Sequence, residues 1–104
     1  MHQTFAALGN ATRFAIVERL LRDGELAASD LLAGQDISAP AVSRHIKILR
    51  EAGIVSQRVD KQRRMYAVRP QAVRQINDWA ISYRDFWGAS FDRLASELAK
   101  TGQR

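Results

Sequence analysis

Apolar side chains recur every three or four residues along most of this chain, which is the spacing of a helix that buries one face. The pattern is clearest over residues 11–23, where Asn10 is a good N-cap and Gly24 ends the run. Its apolar positions are Phe14, Ile16, Val17, Leu20 and Leu21. Weaker patterns predict a short helix around residues 5–8 and another over residues 28–33.

A further helix is predicted over about residues 39–52. Ser38 can cap it, Pro40 falls in the first turn where a missing amide hydrogen costs nothing, and Gly53 ends it. At this spacing three apolar residues share the inner face, namely Val42, Ile46 and Leu49. The opposite face is then short, polar and mainly cationic, with Pro40, Ser43, Arg44, Lys47 and Glu51.

The period changes to strand-like alternation over about residues 54–68, with a polar stretch at residues 60–64, so we predict a two-stranded hairpin. Helical spacing returns over about residues 71–99 and predicts one long helix that Gly88 bends without resetting its phase. The element order is α-α-α-α-β-β-α. The predicted fold class is mainly α with a β-hairpin wing, a winged helix-turn-helix that occupies residues 1–104 as a single domain.

Charge is unevenly distributed along the 104 residues, which carry 16 Lys and Arg, 11 Asp and Glu and a formal net charge of +5. Residues 31–70 hold eight of the basic and three of the acidic residues, so this segment accounts for the whole excess. A localised basic segment is typical of a polyanion partner, and a solvated polar face explains it equally well. Charge alone does not decide between these readings.

The position of the basic residues favours double-stranded DNA as the partner. A recognition helix needs small residues for close approach and Arg for guanine readout in the major groove, and hairpin-tip cations suit phosphates or the minor groove. An ordinary polar helix face and a charged edge that deters strand pairing are the alternatives. The candidate DNA-binding residues are Ser38, Pro40, Ser43, Arg44, His45, Lys47, Arg58, Lys61, Gln62, Arg63 and Arg64.

Large aromatic side chains form a stripe along the last predicted helix. It has three interpretations: a core, a dimer seam, or a pocket for an apolar effector. So many large residues on one helix of a small protein favour an interface. The candidate dimer residues are Phe5, Leu8, Trp79, Tyr83, Phe86, Trp87, Phe91 and Leu94.

Together these residues resemble the ArsR/SmtB family of bacterial winged-helix repressors over roughly residues 3–98. The specific part of the resemblance is the run Ser38 to Val55, supported by Arg13 and Ile16 before it and by Arg63, Arg64 and Tyr66 after it. The resemblance implies a homodimer, built from the first and last helices, that binds a palindromic operator and blocks transcription. It implies no enzymatic activity.

The chain departs from the metal-sensing branch of that family. Where this branch has a Glu-Leu-Cys-Val-Cys-Asp-Leu pattern, residues 25–31 read Glu-Leu-Ala-Ala-Ser-Asp-Leu, and the chain has no cysteine. The other familiar metal site pairs Asp with His on the last helix, and residues 71–104 contain no His. Carboxylates alone suit soft or borderline metals poorly, so we expect no metal and no cofactor.

Other function classes find little support. Ser43 and His45 are two residues apart on a helix and point in different directions, so no catalytic triad is predicted. No stretch approaches a membrane span, and the expected location is the cytoplasm, on the nucleoid when the protein is bound to DNA. A protein or small-molecule inducer stays open. The competing hypothesis is a protein-interaction module with only non-specific DNA affinity.

Overall fold

The computed structural model describes residues 1–102 and is mainly helical, with a small antiparallel sheet. In chain order the elements are α1 His2–Leu8, α2 Ala11–Asp23, β1 Leu26–Ala27, α3 Ala28–Ala33, α4 Ala39–Glu51, β2 Val55–Asp60, β3 Arg63–Val68, α5 Pro70–Ser82 and α6 Arg84–Gly102. The winged helix-turn-helix predicted from the sequence is confirmed.

The helix ends follow the capping residues. The Asn10 side chain accepts a hydrogen bond from the backbone N–H of Arg13 at 3.0 Å, and Ser38 Oγ accepts one from Ala41 at 3.3 Å. Gly24 ends α2 with a φ of 80°, a backbone conformation that residues with a Cβ rarely adopt. Local chemistry therefore places the start and end of α2 and the start of α4.

The wing is part of a three-stranded sheet in the order β1-β3-β2, with both pairings antiparallel. The hairpin register pairs Val55 with Val68 and Asp60 with Arg63, so Lys61 and Gln62 form a two-residue turn. The sequence predicts only two strands. It misses β1, which has two residues and is held by pairing Leu26 with Tyr66 across the chain.

The hydrophobic core belongs to the compact unit Met1–Arg74. Its most buried large side chains come from four different elements or turns and are Ile16, Leu31, Leu49 and Ile54. The inward face of α4 predicted from the sequence is confirmed, because Val42, Ile46 and Leu49 are all buried. Burial of that face fixes which side of α4 meets solvent.

The second compact unit starts at Gln75. The single helix predicted over residues 71–99 is wrong, because the chain forms two helices that are interrupted at Tyr83. Helix α5 ends at Ser82, whose Oγ donates to the Trp79 carbonyl at 2.6 Å, and α6 begins at Arg84. A serine hydroxyl that bonds a nearby carbonyl competes with the helical ladder. Gly88, which we expected to bend the helix, lies inside α6. The indole N–H of Trp87 donates to the Ala80 carbonyl at 3.0 Å and joins the two helices.

Candidate nucleic-acid interface

The solvent face of α4 carries the small and basic residues that sequence analysis singled out. Pro40, Ser43, Arg44 and Lys47 are exposed, and so is the capping residue Ser38. Lys47 lies 4.0 Å from the Glu51 carboxylate, and both side chains remain largely exposed, so this contact leaves the lysine free to exchange partners. The face is thus a polar ridge with two cations and little bulk near its N-terminal end.

An open cavity of about 370 Å³ brings this face together with the wing. Ser43 of α4 lies on one side of it and Gln62, Arg63 and Arg64 of the hairpin lie on another. The start of α3, including Ser29, completes its border. The structure therefore combines one recognition-helix residue and three wing residues from the predicted set in a single concave surface.

Two of the wing arginines lie against acidic residues that precede the turn. Arg58 donates two hydrogen bonds to Glu25, and its guanidinium thereby lowers the pKa of that carboxyl. Arg63 lies 3.4 Å from Asp30, which also accepts a hydrogen bond from the backbone of Ala27. Arg58, predicted as a DNA contact, is thus held by a bidentate pair, whereas Arg63, also predicted as a DNA contact, makes one longer contact between exposed side chains.

The ion pairs of the wing, within the described part of the chain, leave Lys61 and Arg64 out. Lys61 has a φ of 59°, the left-handed region that a non-glycine residue adopts at a cost. Because Lys61 is one of the two turn residues, its charge lies at the tip of the hairpin. Of the basic wing residues predicted as DNA contacts, Lys61 and Arg64 therefore carry charges that these ion pairs do not offset.

A second open groove, of about 530 Å³, lies between the end of α4 and the base of the hairpin. Lys47, Arg50 and Arg69 line it, and Glu51 is the one acidic residue among its described lining residues. Arg50 and Arg69 were not among the residues predicted to bind DNA, because a helix end and a strand-to-helix junction come together only in the folded chain. Their basic character was the one available signal. In the same groove Gln57 Oε1 is buried without a hydrogen-bond partner among the described residues.

His45 differs from its neighbours on α4 because it is half-buried. Its Nδ1 lies 3.3 Å from Nη1 of Arg13, and Nε of the same arginine donates to the Ala7 carbonyl at 2.7 Å. Partial desolvation lowers the pKa of His45, and the charges of Arg13 and Arg44 lower it further. The imidazole is therefore neutral at pH 7.

The unit that starts at Gln75 presents a separate apolar surface. Phe86 is 61% exposed and Phe91 66% exposed, and four aromatic side chains border an apolar hollow of about 260 Å³. Those four are Trp79, Tyr83, Phe86 and Trp87. In the other unit, Phe5 is exposed, whereas Leu8, also predicted at a dimer interface, packs half-buried against the core.

In the described range 1–102, no cluster of three or more His, Cys, Asp or Glu side chains is arranged to hold a metal ion. Within that range, no helix combines the length and the apolar character that crossing a bilayer requires.

A helix-turn-helix whose second helix presents a cationic face beside a basic hairpin defines a winged-helix DNA-binding protein. A model of the helix-turn-helix domain matches residues 8–58. The HTH-type transcriptional regulator Rv2034 of Mycobacterium tuberculosis is 43% identical over 74 residues, which cover 71% of this chain and 68% of the relative.

Two further likenesses extend over more of the chain. The arsenical resistance operon repressor of Escherichia coli is 36% identical over 83 residues, covering 80% of this chain and 68% of that protein. The crystal structure of an ArsR family transcriptional regulator superposes with a TM-score of 0.73 at 25% identity, covering 84% of this chain and 89% of the other. The chain belongs to the ArsR family and is a transcriptional regulator, not an enzyme.

Proposed function

We propose that the protein is a homodimeric repressor that binds a two-fold symmetric operator, with α4 in the major groove and the wing on the DNA backbone. One observation carries this proposal: the cavity that joins Ser43 of α4 to Gln62, Arg63 and Arg64 of the wing. A surface of that shape and charge follows a groove and its flanking phosphates together. The site of action we propose is the cytoplasm, where the operator lies on the nucleoid.

Base readout is assigned to the exposed face of α4. Arg44 has the chemistry to bond guanine bidentately, and Ser43 is small enough to allow close approach. Lys61, Gln62 and Arg64 are assigned to phosphates at the wing. Arg50 and Arg69, in the groove beside Lys47, are assigned to phosphates at the other end of α4.

The dimer is assigned to the aromatic surface of α5 and α6. Exposed apolar residues of this size need a cover, and a second copy supplies one with the same chemistry. The hollow beside Trp79, at about 260 Å³, is smaller than the roughly 300–1,000 Å³ of typical ligand pockets, which favours packing over an effector. A two-fold dimer also presents two recognition helices to half-sites about 34–36 Å apart.

The test is fluorescence anisotropy of the purified protein with a duplex from its own upstream region and with a scrambled duplex. We expect preference for the native duplex, saturating at one dimer per site. Arg44→Ala should weaken binding to the native duplex by about 1–3 kcal/mol and leave the scrambled duplex nearly unaffected. Arg22→Ala is the matched control, because it removes an exposed arginine from α2, outside α4 and the wing.

The second candidate function is a protein-interaction module, which the aromatic surface of α5 and α6 favours. This function predicts weak binding of both duplexes with equal affinity and steep salt dependence. It also predicts a stable hetero-complex that substitutions within residues 79–91 disrupt. A twofold or smaller preference for the native duplex, together with such a complex, would replace the repressor proposal.

A further inference from the structure

We infer that Arg13 and His45 form a positioning pair that sets the orientation of the recognition helix, so that His45 acts through Arg13 rather than on DNA. The inference rests on the proposed function and reassigns one residue of its predicted interface. On this inference, the contacts that join α1, α2 and α4 act together on operator binding.

The geometry of Arg13 supplies the first argument. Its backbone N–H donates to the side chain of Asn10, the N-cap of α2, which holds the base of the Arg13 side chain. Its Nε then donates to the Ala7 carbonyl at 2.7 Å, in the last turn of α1, and its Nη1 reaches His45 at 3.3 Å, in the middle of α4. A guanidinium is planar and its donors are fixed relative to one another. The guanidinium of Arg13 thus fixes the position of α2 relative to both α1 and α4.

The protonation state of His45 supplies the second argument. A guanidinium has donors and no acceptor, so Nδ1 of His45 must be the acceptor and the ring proton must be on Nε2. Among the described residues, the charges that act on the ring come from Arg13 of α2 and from Arg44 of its own helix. Glu51, near the end of α4, lines an open hollow of about 320 Å³ together with Arg13. A second proton on the ring would place two donors face to face and end the bond.

The neighbours of His45 show why its orientation matters for recognition. Ser43 and Arg44 are exposed and precede it directly, whereas Ile46, which follows it, is buried. Residues that bind a groove must be held within about 0.5 Å of the productive geometry by a supporting set of contacts. The Arg13 bond to His45 is such a contact, one residue from the proposed guanine reader.

Two substitutions of His45 distinguish a positioning role from a direct contact with DNA. In His45→Asn the amide oxygen occupies the place of Nδ1 and still accepts from Arg13, whereas in His45→Gln the side-chain polar atoms occupy the place of Nε2. We expect His45→Asn to keep native-duplex affinity within about twofold at pH 7.5. We expect His45→Gln to lose about three- to tenfold, the range of one hydrogen bond. Any other pattern, including equal loss in both variants or the reverse order, overturns the inference.

A measurement without DNA keeps this inference distinct from the proposed function. The nitrogen chemical shifts of His45 should show an unprotonated Nδ1 at pH 7.5, and its titration midpoint should rise in Arg13→Ala and in Arg13→Gln. A midpoint that does not change in either variant overturns the pair, even if the wild-type protein binds its operator. Conversely, if the wild-type protein fails to discriminate between duplexes while the midpoint shifts as expected, the repressor proposal fails and the pair stands.

Discussion

Arg58 on β2 donates two parallel hydrogen bonds to the carboxylate of Glu25, from Nε to Oε2 at 2.8 Å and from Nη2 to Oε1 at 2.6 Å. Glu25 directly precedes β1, so the pair ties the outer strand of the wing to the segment that enters α3. A bidentate arginine in this geometry is partly neutralised by its partner. We therefore expect Arg58 to support the wing rather than to meet a phosphate.

Substitutions of Arg64 and Arg58 should differ in their effect on the salt dependence of DNA binding. Arg64→Ala should lower the slope of log affinity against log salt by about one, because a lost phosphate contact releases one counterion fewer. Arg58→Ala should leave the slope nearly unchanged, since its guanidinium is committed to Glu25. Anisotropy titrations at several salt concentrations measure both slopes. Equal decreases in the two variants would show that Arg58 exchanges Glu25 for DNA.

Replacing Lys61 by glycine should stabilise the folded protein. Its φ of 59° costs a residue with a Cβ more than it costs glycine, so Lys61→Gly should raise the free energy of unfolding by about 0.5–1 kcal/mol. Thermal unfolding should shift upward by roughly 2–8 °C. Lys61→Ala removes the same charge and keeps the Cβ, so it should give no such gain. Equal shifts in both variants would assign the effect to charge.

Stability should fall on mild acidification because of His45. Its pKa is lowered in the folded chain, so the unfolded chain binds the proton first as the pH falls below about 6.5. The free energy of unfolding should then decrease between pH 6.5 and the lowered folded pKa, and should be insensitive to this group above pH 7.5. Urea titrations at pH 7.5 and 5.5 should show a smaller loss for His45→Asn. Identical losses would mean that His45 does not contribute.

The aromatic surface should govern the oligomeric state. Phe91 and Leu94 are 66% and 56% exposed, and the double substitution Phe91→Glu with Leu94→Glu places charges where an apolar interface is proposed. Sedimentation velocity should show a dimer for the wild type and a monomer for this variant, with helical circular dichroism retained. Arg93→Glu, between the two on α6, is the control and should stay dimeric. A monomeric wild type, or a dimeric double variant, contradicts the assignment.

The parts of the fold that follow from local chemistry could be predicted from the sequence. Asn10 and Ser38 place two helix starts through their own hydrogen bonds, and the spacing of Val42, Ile46 and Leu49 orients α4. The same rules predicted the outward position of Arg44, one of the exposed basic residues of the candidate site.

The parts that depend on distant partners could not be predicted. The two residues of β1 have too short a pattern to recognise and become a strand only against Tyr66. The break at Ser82 is hidden because apolar spacing continues across it. The partners of Arg58 and His45 lie more than thirty residues away along the chain. The sequence therefore shows these two side chains but not the residues that neutralise Arg58 or orient His45.

Pairing of β1 with β3 has a kinetic consequence. A hairpin closed by a two-residue turn forms within about 1–10 µs, whereas pairing Leu26 with Tyr66 must close a loop that contains all of α3 and α4. Closing this longer loop costs more entropy than closing the hairpin turn. The position of the wing beside the helices therefore depends on a pairing of high sequence separation, which is slower to form than the hairpin itself.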